Sequence, residues 1–344
     1  MERRKIMSLG QSSRVISLPK DWLNRNNLDK GNYVSLDVRD GSLVVHPESN
    51  LREEDVRIIK IVIEADENID SIIRRIIGAY LDGFTIIKLR STGIFSVEQQ
   101  KAIRQIVSTL YMMIIESETS NIVLETLIDE SKVSVSSGVE RMHLITSSML
   151  RDILTSIRNW DKVLARTVAS LEDDVDQLMF FIIRIIRGVV VSPSLANLLG
   201  LDNLDCLDYQ TLVHRIEQIA DHATSIANSV ISLIDSEISI PENVMTTLIK
   251  SAEIAFTSYD MAVQCYLSKD IEPTNEIIDK QKEIEDLYGG ITPLPYCGRP
   301  NETSVLSDVI TIRECVMKIS NCTADIAELT IDRTYKSKKV SVRD

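Results

Sequence analysis

The sequence predicts a multidomain chain with a small β-rich head, a small α/β middle and an all-α remainder. Residues 1–48 carry short alternating apolar runs divided by turn residues, and residues 55–135 alternate between strand-like and helix-like periodicity. Residues 138–335 repeat apolar side chains every three or four positions, the mark of one helix face after another.

A chain of 344 residues has room for several cores, and 44% hydrophobic with 26% charged residues suits a folded, soluble molecule. The longest apolar run, residues 179–191, is broken by Arg184 and Arg187. A bilayer span needs about 20 apolar residues, so no membrane insertion is expected. No signal peptide precedes the first charges, and a cytoplasmic location follows as an expectation. Cys206, Cys265, Cys297, Cys315 and Cys322 form no Cys-x-x-Cys pair and read as reduced, buried thiols. The net charge of −13 argues against nucleic-acid binding by the molecule as a whole. The front end differs, because Arg3, Arg4, Lys5, Arg14, Lys20 and Arg25 outnumber Glu2 and Asp21 there.

In the head, residues 4–9 and 14–18 read as brief strands divided by Gly10-Gln11-Ser12-Ser13. Pro19 suits the first turn of a helix through Trp22 and Leu23 that ends near Asn26-Asn27. Residues 33–38 and 42–46 alternate around Asp40-Gly41, a hairpin signal. So short a segment, with so few large apolar groups, needs a second copy to complete a core.

Arg4-Lys5-Ile6, then Gly10-Gln11-Ser12-Ser13-Arg14-Val15-Ile16-Ser17-Leu18-Pro19-Lys20, then Leu28-Asp29-Lys30-Gly31-Asn32-Tyr33-Val34, resembles the swapped-hairpin DNA-binding module of the SpoVT/AbrB type. The likeness spans about the first 47 residues. It implies a homodimer of interlocked hairpins with DNA as a partner. Arg3, Arg4, Lys5, Arg14 and Lys20 are the DNA-binding candidates, chosen by charge and position. The same cations also suit a head that only dimerises or neutralises a toxin.

In the middle segment, residues 57–63 are strand-like, 69–81 helical and 84–89 strand-like again. Ser96, followed by Glu98 and Gln99, starts a helix to about Leu110, after which 112–116 and 122–128 read as strands. The pattern suggests a small α/β sandwich, with a ferredoxin-like arrangement as one expectation. No Gly-rich phosphate loop or nucleophile-plus-base set occurs here, so the segment serves as a linker or an effector sensor.

Long helices with loops near 192–208, 237–241 and 289–301 follow, and a faint duplication runs through them. Ile226-Ala227 and Ile326-Ala327 are 100 apart, whereas residues 172–178 are echoed by 281–287 at an offset of 109. Two related three-helix units are expected, at 138–236 and 240–335.

On the helix that contains residues 214–228, Leu212, Ile216, Ile219, Ala223, Ile226 and Val230 form an apolar seam. Beside it runs a second stripe of His214, Glu217, Asp221, Thr224 and Asn228. Leu164, Val168, Leu171, Val175, Leu178 and Ile182 form another seam, on a helix ending near Arg187, with Glu172 and Asp176 one step around it. Carboxylates four residues apart on a helix repel unless something cationic or water separates them. If the two helices are neighbours, Glu172, Asp176, Glu217 and Asp221 converge as metal ligands, with His214 at the edge. Oxygen-rich sets suit Mg, Mn, Ca or non-haem Fe better than structural Zn. A divalent or ferric ion, Fe, Mn, Mg or Zn, is the expected cofactor class. The competing reading is a solvated face neutralised by Arg184, Arg187 and Arg215.

Cys206-Leu207-Asp208-Tyr209, followed by Arg215-Ile216-Glu217-Gln218-Ile219-Ala220-Asp221-His222-Ala223 and Ile226-Ala227, resembles the third helix of a PhoU repeat. The likeness covers roughly 138–335 and implies two PhoU-like three-helix repeats with Glu/Asp-x-x-x-Asp metal motifs. Glu217 and Asp221 match that motif, and Glu172 and Asp176 match the companion pattern. The second repeat departs from it: Met317 and Asn321 stand where Glu217 and Asp221 are expected, and Gln281 near the Glu172 position. One metal site is expected, not two.

Both resemblances together imply a phosphate-responsive transcriptional regulator of phosphate uptake, not an enzyme. Expected partners are DNA, a second copy, and a phosphate-transporter ATPase or a signalling kinase. The alternatives are a helical-bundle metal enzyme or metal store, and a transporter adaptor that binds no DNA. Against the enzyme, His214 precedes Glu217, whereas di-iron bundles carry Glu-x-x-His.

Overall fold

A computed structural model describes residues 3–10, 13–39, 42–47, 56–236, 240–289 and 300–335. The Gln11-Ser12 and Asp40-Gly41 turns, Cys297 and the tail beginning at Lys336 lie outside the described residues. The chain divides into two units, Met1–Val56 and Arg57–Asp344.

In the first unit, β1 (Met7–Leu9) pairs antiparallel with β2 (Ser13–Val15), Met7 opposite Val15. Helix α1 (Lys20–Arg25) starts directly after Pro19, whose fixed φ suits a helix entry. β3 (Val34–Arg39) and β4 (Ser42–Pro47) form an antiparallel hairpin with Leu36 opposite Val45. Gly31 takes a φ of +101°, a conformation side chains avoid, and so turns the chain into β3. Ile6, Leu9, Tyr33 and Leu36 of this unit are each more than half exposed.

The second unit opens with β5 (Ile58–Ile63), α2 (Ile69–Leu81), β6 (Ile86–Ser91), α3 (Val97–Thr109), β7 (Met112–Ser117) and β8 (Asn121–Thr126). Asn68 caps α2, and a reciprocal Ser96–Gln99 capping box starts α3. Gln99 is buried, and its amide reaches the Ala65 and Glu67 carbonyls, tying the two helix entries together. The sheet order is β5-β6-β8-β7, with β5 and β6 parallel and the other pairs antiparallel. This corrects the ferredoxin-like expectation, which requires β-α-β-β-α-β. Here the second helix precedes the β7–β8 hairpin, and β8 folds back between β6 and β7. Periodicity reports where strands lie along the chain, whereas pairing is decided by which apolar faces meet.

The helical part comprises α4 (Val135–Asn159), α5 (Lys162–Ala169), α6 (Glu172–Val191), α7 (Pro193–Leu199), α8 (Asn203–Ser236), α9 (Glu242–Ser268), α10 (Thr274–Gly289) and α11 (Pro300–Tyr335). Two details differ from the sequence reading. The helix expected to end near Arg187 is interrupted at Ser170–Leu171 and runs on to Val191. The loop expected at 192–208 contains α7, because Ser192 caps it, Pro193 opens it and Gly200, at φ +65°, closes it.

α8 and α11 pack antiparallel. Arg215 Nη2 meets Asp325 at 2.9 Å, Cys322 Sγ meets Gln218 at 3.6 Å and Ser232 Oγ meets Asp308 at 2.7 Å. These pairs run in opposite directions about Ala220 and Ser320, small buried residues that are 100 apart and let the helices approach closely. α4 and α9 are joined by Asp260, which lies 3.2 Å from His143 Nε2 and accepts from Ser147 Oγ at 3.0 Å. Cys206, Cys265, Cys315 and Cys322 are buried in the helical core.

α6 also docks the sheet layer. Arg184 is 1% exposed; its Nε donates to Glu130 at 2.8 Å, while Nη1 donates to the Phe84 carbonyl at 3.1 Å and to the Tyr80 carbonyl. Gly188 lies close beside it, where a Cβ would meet a Glu130 oxygen at 3.0 Å and Leu195 at 3.1 Å, so a larger residue would press on those two side chains. Gln177 Nε2 donates to the Ser108 carbonyl at 2.9 Å, and Tyr111 stacks edge-on against Phe181.

Candidate metal centre

The site forms where the N-terminal half of α6 lies along α8. Val175, Leu178 and Ile182 on α6 and Ile216, Ile219, Ala220 and Ala223 on α8 are buried, which fixes the rotation of both helices. The polar stripes beside those seams are thereby turned towards each other. Glu172 is the first residue of α6, and Asp173 and Asp174 share its first turn. A helix N-terminus carries a partial positive charge, so the break at Ser170–Leu171 eases the packing of acidic side chains there.

Asp176, Glu217 and Asp221 each offer a carboxylate oxygen, and these oxygens all lie within 4.8 Å of one another. All three residues are half-buried. Burial is the main reason Asp176 is pushed up to about 6, with the charges of Asp221 and Glu172 adding to it. Burial likewise pushes Glu217 up to about 7, reinforced by Asp221 and Asp176. Asp221 is also raised by burial, while its hydrogen bond with Glu217 opposes the rise.

Glu172 lies outside that trio but close to it: burial and then the Asp221 charge raise its carboxyl. Thr224, on the predicted stripe three residues after Asp221, is 9% exposed. Its hydroxyl stands against Glu172 and offsets part of that rise, but meets no hydrogen-bond geometry with any described partner. His214 is exposed and does not join the trio.

The three arginines that the sequence offered as neutralising partners are engaged elsewhere. Arg184 pairs with Glu130, Arg187 with Asp82 and Arg215 with Asp325. Among the described residues, none of the four carboxylates has an ion-pair partner. An all-oxygen donor set, an orphaned buried hydroxyl and several raised carboxyls together fit a hard cation, with Asp176, Glu217 and Asp221 as its holders.

In the head, Arg3, Arg4, Lys5, Arg14 and Lys20 are all exposed. Arg14 Nη1 donates to Ser8 Oγ of β1 at 2.6 Å and Arg4 Nη1 to Ser17 Oγ, just beyond β2, at 3.4 Å, so both guanidinium groups are steered by nearby serines.

Residues 139–230 are a PhoU domain. The PhoU match runs from α4 to α8 and contains all four carboxylates. Residues 9–53 match the MazE family, described as antidote-toxin recognition MazE, bacterial antitoxin, which places an antitoxin-type domain at the head. No curated protein matches the chain. Among solved structures, PhoU from Pseudomonas aeruginosa is 18% identical with a TM-score of 0.48, covering 59% of this chain and 96% of that one. The phosphate transport system regulatory protein PhoU from Streptococcus pneumoniae is 13% identical with a TM-score of 0.47, covering 57% and 91%.

Proposed function

We propose that the chain is a phosphate-responsive transcriptional regulator acting in the cytoplasm. Its head binds DNA as a homodimer through Arg3, Arg4, Lys5, Arg14 and Lys20. Its PhoU domain holds a divalent or ferric ion and reports phosphate status, directly or through a phosphate-transporter ATPase or a signalling kinase. The observation that carries this reading is the Asp176–Glu217–Asp221 cluster inside the PhoU match, converging and without a cationic partner among the described residues. The head supports it independently, with a MazE match, exposed cations and the exposed apolar side chains Ile6, Leu9, Tyr33 and Leu36. An unsealed apolar surface of this kind is completed when two chains interlock.

A bound ion would supply positive charge able to hold an anionic ligand. Asp176, Glu217 and Asp221 bind and orient it, while Glu172 and Thr224 border the cleft. Ligand binding alters DNA affinity only if it prefers one arrangement of the chain over another. Two heads related by a twofold axis favour a roughly palindromic site.

Chromatin immunoprecipitation under phosphate-rich and phosphate-starved growth tests this reading. Occupancy at phosphate-transport genes should change with phosphate and vanish in the Arg4→Ala/Arg14→Ala double variant. Occupancy indifferent to phosphate overturns the sensing role. Failure of the purified protein to retain promoter DNA at low salt overturns the DNA-binding role.

A further inference from the structure

The second unit leaves the β5–β6 half of one sheet face exposed, whereas Val123 of β8 on the same face is buried, and the exposed side chains are not those of an idle surface. Ile61, Ile63, Ile87, Leu89, Ile122 and Leu124 point inward and pack with α2 and α3. Alternation then sends Ile58, Lys60 and Val62 of β5 to the opposite face, with Ile86, Lys88 and Arg90 of β6 beside them. Ile58 is 48% and Val62 51% exposed, and Lys60, Lys88 and Arg90 are exposed too.

The strand register puts Lys60 directly opposite Lys88, and Val62 opposite Arg90. Like charges opposite each other on a sheet repel. None of the three cations has an ion pair or side-chain hydrogen bond among the described residues. A lysine on an edge strand such as β5 can be explained as a guard against edge-to-edge pairing. Lys88 and Arg90 cannot, because β6 is an interior strand. In a chain of net charge −13, three clustered cations framed by isoleucine and valine form a local exception.

We infer that the β5–β6 half of this face docks an acidic amphipathic segment of a partner protein, whose carboxylates meet Lys60, Lys88 and Arg90 and whose apolar side chains cover Ile58, Val62 and Ile86. Charge complementarity selects this occupant. A second copy of the same face would bring the cations against one another. Nucleic acid fits less well: the face has no aromatic side chain on which bases could stack. Glu125 and Glu116, on the β8 and β7 half of the same face, would also repel a polyanion laid across the sheet. A short segment centred over Lys60, Lys88 and Arg90 lies clear of Glu116 and meets Glu125 only at its Ile86 end. The inference does not depend on the metal centre or on DNA binding by the head.

The test uses the full chain with isoleucine and methionine methyl groups labelled for NMR. It is titrated with a short helical peptide of glutamate and leucine, with the lysine–leucine counterpart, and with a duplex oligonucleotide. The glutamate peptide should shift the Ile58 and Ile86 methyls, and Lys60→Glu/Lys88→Glu should weaken its binding at least tenfold. Exposed charge reversals leave the core intact, and unchanged methyl spectra of Ile63 and Ile87 verify this. No shift at Ile58 and Ile86, an equal response to the lysine peptide, or a response to the duplex alone would each overturn the inference, the last in favour of nucleic acid.

Discussion

Gln281 Nε2 donates to Asn321 Oδ1 at 2.9 Å, at the two positions of the second helical unit that correspond to Glu172 and Asp221 in the first. Two amides satisfy each other without a net charge, whereas two carboxylates need a cation or a proton between them. On the duplication that the sequence predicts, the same cleft would stand in two chemical states. Asp221→Asn should remove most of the bound metal and weaken the remaining affinity more than tenfold, measured by elemental analysis and calorimetric titration. Asn321→Ala should leave the stoichiometry unchanged. Equal losses in both variants would contradict the assignment of a single centre.

Proton linkage makes the centre visible without any metal. Asp176 at about 6 and Glu217 at about 7 titrate above the roughly 4 expected of unfolded carboxylates. Between those limits the folded chain holds protons that the unfolded chain has released. Stability of the metal-free protein should then be highest near the acidic end of that window and fall as pH rises through about 6 to 7. Metal affinity should run the other way, rising over the same range as the ligands lose protons. Calorimetric melts at about pH 5.5 and about pH 7.5 should show the two opposite trends. Glu217→Gln should reduce both, leaving the share that Asp176 carries, and slopes unchanged in this variant would place the linkage elsewhere.

Arg184 is a structural cation with no water to fall back on. Replacing it with methionine strands the Tyr80 and Phe84 carbonyls and the Glu130 carboxylate, a loss of about 3 kcal/mol or more. The neighbouring Arg187–Asp82 pair is half-exposed on both sides, so Arg187→Ala should cost less than about 1 kcal/mol. Urea unfolding monitored by circular dichroism separates the two; similar midpoints for both variants would contradict the anchoring role of Arg184.

DNA affinity should fall with salt along a straight double-logarithmic line. Each phosphate contact contributes roughly 0.9 to its slope, so Arg14→Ala or Lys5→Ala should flatten the line by about one unit. Fluorescence anisotropy on a promoter fragment measures this. A slope unaffected by all five head cations would remove DNA from the list of partners.

Much of this was legible in the amino-acid order. Pro19 and Ser96 announce helix starts through chemistry that acts within one turn, whereas the start at Pro193 was passed over as loop. The alternation at 58–63 and 86–91, and the spacing from Leu212 to Val230, assign strands and helices because side-chain direction repeats locally. The acidic pairs Glu172/Asp176 and Glu217/Asp221 could be picked out for the same reason.

What lay beyond that reach depends on partners far apart along the chain. Nothing in the periodicity of β8 says that it inserts between β6 and β7, and nothing near Arg184 reveals that Glu130, Tyr80 and Phe84 will claim it. The same holds for Arg215, drawn to Asp325 across the α8–α11 contact. Local order thus determined the elements and the identity of the acidic side chains. Tertiary packing decided that Asp176 meets Glu217 and Asp221 and that every nearby arginine is spent elsewhere, because burial of apolar seams sets helix rotation and thereby chooses each charge's neighbours.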